Sequence, residues 1–97
     1  MSYSKNEAQN AIVTVVGSDQ VGIIAKVSAF FAEHGINIED ISQTVLSGKF
    51  VMMMMVNLAQ STLPLEDLKH SLDVLGTDMR VSISILHEKV FTAMHRI

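Results

Sequence analysis

Cysteine is absent from this 97-residue chain, which excludes disulfides and thiolate metal sites and is compatible with a reducing cytoplasm. A basic cluster is missing too. Seven Lys and Arg stand against ten Asp and Glu, a formal net charge of −3. Nucleic-acid binding depends on cations that neutralise phosphates, so no nucleic-acid partner is expected. Long apolar runs are also lacking: the longest, residues 50–56, is far short of the roughly 20 residues of a membrane helix. No membrane partner is expected. The polar residues 1–10 hold no apolar signal core and read as a disordered or loosely ordered N-terminus. A soluble, cytoplasmic protein is the expectation.

What the chain does have is apolar surface, with 48% hydrophobic and only 18% charged residues. A single domain of this size buries only about 60–65% of the surface its unfolded chain exposes. One small core leaves apolar surface over, and self-association is the simplest outlet. A homodimer is therefore expected.

The β-branched stretch from Ala11 to Val16 stops at Gly17 and reads as a strand. From Val21 to His34 the spacing becomes helical: Ile24, Val27, Ser28 and Phe31 form one stripe, flanked by Ile23 and Phe30. Gly35 supplies the stop. A second strand covers residues 37–46. The change of apolar parity between Ile36/Ile38 and Ile41/Val45 predicts a bulge near Glu39 and Asp40. Ser47, Gly48 and Lys49 make a tight hairpin turn. The third strand, residues 50–58, is apolar on both faces. Pro64 suits a first helical position, and Leu65, Leu68, Leu72 and Leu75 form a buried stripe that Gly76 closes. Residues 79–86 alternate as a half-exposed strand. Val90, Phe91, Met94 and Ile97 recur at helical spacing, so residues 87–97 read as a docking helix.

The order strand, helix, strand, strand, helix, strand implies two interleaved right-handed β–α–β units. Their product is a four-stranded antiparallel sheet with both helices on one face and the first and third strands central. Either Met53 and Met55 or Met52 and Met54 then face away from the helices and need a cover, from a partner subunit, the C-terminal helix, or both.

The organising stretch is the turn from Gly17 to Gly22, where a strand ends and a helix begins. Unpaired backbone N–H groups and a helix dipole there suit a carboxylate or phosphate. Gly22 admits close approach to the main chain, N–H groups near Val21 to Ile24 would hold the anion, and Asp19 or a main-chain carbonyl would meet an amine. The competing reading is that Asp19 only caps the helix. Asn37 offers both a donor and an acceptor, although, taken alone, a turn residue after Gly35 is the better account of it.

The run Met52 to Met55 alternates between faces in a strand, so it cannot converge on one soft metal; filling of a core and an interface is the better account. His34, His70, His87 and His95 lack metal-ligand spacing. No metal and no cofactor is expected. No catalytic set is recognisable: there is no cysteine nucleophile, no Gly-x-Ser-x-Gly elbow and no His-Glu-x-x-His. The acylphosphatases share the same element order but clamp the phosphoryl group with an arginine in the first turn. Here that turn has one acid and no base, which disfavours an enzyme.

Two stretches, from Ile12 through the Asp19-x-x-Gly22 turn to Ser28 and from Phe30 through the Gly35-x-Asn37 step to Thr44, resemble the ACT domain. The likeness covers nearly all the chain from Ala11. It is greatest to small stand-alone ACT proteins of bacteria and archaea, with ends like residues 91–97. The resemblance extends to the ACT repeats of the glycine-cleavage-system repressor and of formyltetrahydrofolate deformylase. It implies an α+β, ferredoxin-like βαββαβ sandwich over residues 11–86 and a dimer that binds a small effector, usually an amino acid, at the subunit interface. Asp19, Gln20, Val21, Gly22 and Ile23 would hold one end of that ligand. Asn37 and Ile38 would come from the second strand, in this implication the partner's. With no enzyme or transcription factor in the chain, the output would be a separate, unidentified protein target. A domain that binds no ligand and serves only assembly is the main alternative.

Overall fold

The computed structural model describes residues 9–18 and 22–94. Four strands and three helices follow one another: β1 (Asn10–Ser18), α1 (Ile23–Glu33), β2 (Asn37–Leu46), β3 (Lys49–Asn57), α2 (Leu65–Met79), β4 (Val81–His87) and α3 (Glu88–Met94). The strands lie in the order β2-β3-β1-β4, and each neighbouring pair is antiparallel. This is the expected βαββαβ sandwich with β1 and β3 in the middle.

Strand parity decides which side chains enter the core. On β1, Ala11, Val13 and Val15 join Met52, Met54 and Val56 of β3 and Val81, Ile83 and Ile85 of β4 in one buried cluster. Ile23, Val27 and Phe31 of α1 and Leu68 and Leu72 of α2 close it from the same side. Met53 and Met55 therefore occupy the face that the two long helices leave open, and Met53 is 36% exposed. Ile12 also sits on that face. It is buried, yet it stands apart from the core cluster.

The β2–β3 hairpin turns on Ser47 and Gly48, both at positive φ (51° and 78°). Two such residues in sequence make the turn whose twist matches antiparallel strands. The register slips between Ile38 and Asp40, so Glu39 is the extra residue of a β-bulge. The parity change in the sequence has this cause.

Three expectations are corrected. Ile24 is not on the buried stripe of α1: it is 37% exposed, while Ile23 takes the inward position at 1%. Helix α1 starts after Gly22, and the 100° step from one residue to the next turns Ile24 outward. Pro64 stands just before α2, as an extended N-cap, instead of at its first helical position. Gly76 does not close α2. It lies buried within the helix, which continues to Met79 and ends at Arg80 in the left-handed region, φ 61°. A Cβ on Gly76 would stand 2.8 Å from the carbonyl oxygen of Val81, so this glycine allows β4 to pass against the helix. No helix among the described residues is long and apolar enough to cross a membrane.

Candidate functional site

Helix α1 begins at Gly22, whose φ of 96° and ψ of −5° lie in the left-handed region. Glycine carries no side chain to cap the helix, and no described side chain hydrogen-bonds there. The carbonyl of Gly22 accepts from the Lys26 N–H at 2.9 Å, so the helix winds normally from its first turn. The N–H groups of that turn have no intrahelical acceptor. A Cβ placed on Gly22 would meet no atom of the described residues within 4 Å. Ile23, the next residue, is buried; its side chain anchors the turn to the core, so only its backbone is available to a ligand. Asp19, Gln20 and Val21 lie outside the described residues.

Asn37 and Ile38 start β2 at the other end of α1. The chain reaches them through a helix stop in which Gly35 donates to the Ala32 carbonyl at 3.3 Å and Ile36 to that of Phe31 at 2.9 Å. This is a Schellman closure, with the apolar pair Phe31 and Ile36 inside the core. Asn37 is exposed and Ile38 is half-buried against the core. Eleven helical residues separate the two groups, about 16 Å at 1.5 Å per residue. One chain therefore does not bring Gly22 and Asn37 together around a ligand of amino-acid size.

The end of the sheet that holds Asn37 is more polar than the sequence reading anticipated. Asn37 pairs with Asn57, and Asn57 pairs with Asn10, so three carboxamides align across three strands. Asn57 is engaged at both carboxamide atoms: its Nδ2 donates to Glu39 Oε2 at 3.0 Å, and its Oδ1 accepts from the Ala59 N–H at 2.9 Å. Asn10 Oδ1 is buried with no hydrogen-bond partner among the described residues. The alignment depends on register between strands, and no single segment carries a signal for it.

Two open clefts, of about 520 and 770 Å³, lie by the loop from Leu58 to Leu65 and by the C-terminal half of α2. Neither is lined by a residue expected to hold ligand. A smaller, mainly apolar groove of about 230 Å³ crosses the open face between Ile12, Asp40, Met53 and Met55. Among the described residues no three His, Asp or Glu side chains gather as a metal site.

The family profile of the ACT domain matches residues 9–85. The chain belongs to the ACT-domain family. A UPF0237 protein of Methanopyrus kandleri is 45% identical over 87 residues, which cover 90% of this chain and 97% of that protein. Among solved structures, an ACT domain protein from Streptococcus pneumoniae superposes with a TM-score of 0.78 at 42% identity, covering 87% of this chain and 94% of that one. The regulatory subunit of aspartate kinase from Thermus flavus shares the fold, with a TM-score of 0.60 at 24% identity over 80% of this chain and 51% of that one. ACT domains are commonly ligand-binding regulatory modules, so the turn at Gly22 sits in a fold with a habit of recognising small molecules.

Proposed function

We propose that this ACT domain is a non-catalytic regulatory module of the cytoplasm that binds an amino acid as a homodimer and acts on another protein. The observation that carries the reading is Gly22: a left-handed glycine opening α1, with no described side chain hydrogen-bonded to the helix end and no described atom within 4 Å of where a Cβ would stand. The ligand carboxylate would accept from the N–H groups of Gly22 and Ile23 and their neighbours, helped by the positive end of the helix. Asp19, Gln20 and Val21 would complete that wall. The ammonium group would meet the carboxamide oxygen of Asn37, beside Ile38, on the second copy. The distance between the two groups within one chain is the reason a second copy is required.

A thermal-shift series against the amino acids tests this directly. Ligand at about 100 times its dissociation constant adds roughly 2.7 kcal/mol to native stability. Each kcal/mol moves the midpoint of a domain this size by about 4–8 °C, so a true ligand raises Tm by more than about 10 °C. In Gly22→Ala the backbone strain lowers the unliganded stability by about 1–2 kcal/mol, and the new methyl group occupies the ligand's space. The ligand-dependent rise should disappear while the native fold persists by circular dichroism. No rise for any amino acid at millimolar concentration would leave the assembly reading in possession. That reading draws its support from the exposed Val45, Leu46 and Met94. An acylphosphatase-like activity has no comparable support, because the turn before α1 lacks an arginine.

A further inference from the structure

Strand β4 is an edge of the sheet: it pairs with β1 on one side and with no described strand on the other. Alternate residues of such a strand turn their N–H and C=O groups outward, where another extended chain can bond to them. Sheet edges commonly carry devices that discourage this, such as a bulge, a proline or a charge. The opposite edge has two of them, since β2 bulges at Glu39 and carries the acids Glu39 and Asp40. Strand β4 has none. From Val81 to Leu86 it holds no charge and no proline, and its register against β1 is unbroken. Helix α2 guards only its first part, where Gly76 lies against Val81 and Ile83.

Past that contact a groove of about 180 Å³ opens between α2 and the strand. Leu72, Ile83 and Ile85 are its buried floor, Ser84 is exposed beside them, and Lys69 and Asp73 flank it from the helix. Both charged residues are exposed. Neither side chain has a hydrogen bond or ion pair among the described residues. They stand one helical turn apart, about 6 Å along the axis. Side chains on one face of an extended chain recur every two residues, about 6.7 Å, so the two spacings match. Going back along α2 from Gly76, Asp73 comes first, nearer Ile83, and Lys69 second, nearer Ile85.

We propose that the free edge of β4 takes an extended segment of another protein as an added antiparallel strand. An acidic residue of that segment meets Lys69, and a basic residue two positions later meets Asp73. Backbone bonds to the edge supply affinity, and the two charges with an aliphatic neighbour in the groove supply selectivity. The groove has room for a side chain or two, which suits a single segment better than the flank of a second folded subunit. The inference stands whether or not Gly22 holds an amino acid.

Capped synthetic peptides test the edge on the full chain. Thr-Val-Glu-Val-Lys-Val-Thr should bind, by fluorescence anisotropy, with NMR amide shifts centred on residues 83–87 and 69–73. Thr-Val-Lys-Val-Glu-Val-Thr, which exchanges the charges, should bind at least about tenfold more weakly. In the double variant Lys69→Glu/Asp73→Lys the preference should invert; both positions are exposed, and circular dichroism will report the retained fold. Binding of neither peptide at millimolar concentration overturns the inference, as do equal affinities, shifts centred on another surface, or a folded double variant that keeps the wild-type preference. Amide exchange along β4 that slows as the free protein is concentrated would put a second copy on this edge and overturns the partner proposed.

Discussion

Gly35 and Gly48 share a left-handed backbone, with φ of 73° and 78°, but not the same surroundings. A Cβ at Gly48 would meet nothing within 4 Å, whereas one at Gly35 would come within 2.5 Å of the Gln60 carbonyl oxygen. That carbonyl belongs to the loop after β3, which is tied to the end of α1 by the Thr62 N–H donating to the His34 carbonyl at 2.9 Å and by His34 Nδ1 and Thr62 Oγ1 at 3.2 Å. Gly48→Ala should cost about 1–2 kcal/mol, from backbone strain alone. Gly35→Ala adds displacement of that loop, about 1–3 kcal/mol more. Paired urea melts will read the difference as a lower midpoint for Gly35→Ala. The helix stop at Gly35 could be read from the sequence; the loop that makes it indispensable could not, because Gln60 is far away in the chain.

At the scale of an element, β3 is the clearest case of one residue type meeting two fates. Met52 and Met54 are fully enclosed by the helices, and Met53 lies on the open side. Met52→Ala should therefore lose about 2–5 kcal/mol. Met53→Ala should lose less than about 1 kcal/mol in a dilute sample where the subunits are apart. Chemical denaturation at low protein concentration checks both. The four methionines announced a strand with two apolar faces, but nothing in their identity said which pair faced the helices. Register against β1 decides it, with Val13 opposite Met54 and Val15 opposite Met52. Helix α2 teaches the same lesson from the other direction. Gly76 looked like a stop because glycine ends helices often. Its real role is contact with β4, and α2 runs on for three residues to Met79, before the left-handed Arg80.

For the whole molecule, apolar surface remains after folding. Val45 and Leu46 are each 61% exposed on the edge strand β2, and Met53, Val90 and Met94 add to them. A protein that hides such surface by association gains stability with concentration, since the native oligomer is favoured by mass action. The midpoint of thermal unfolding should rise by several degrees over a hundredfold increase in protein concentration, and the rise should shrink in Met53→Glu. A midpoint independent of concentration would mean that each subunit is stable alone and that the exposed apolar residues have no role in self-association.

Local chemistry alone determined much of this protein. The two spacings of apolar residues, the glycines that end segments and the parity slip at Glu39 each act over a few neighbouring residues, so the element order, the sheet with its central strands and the family likeness could all be read from the chain. Gly22 could be picked out for the same reason, as a glycine between a strand and a helix. What only the tertiary structure decided is everything that depends on pairing across the chain. The side of the sheet left open and the alignment of Asn10, Asn57 and Asn37 are consequences of register and packing. Those relations join residues distant in sequence, and a linear pattern holds no record of the distance between them.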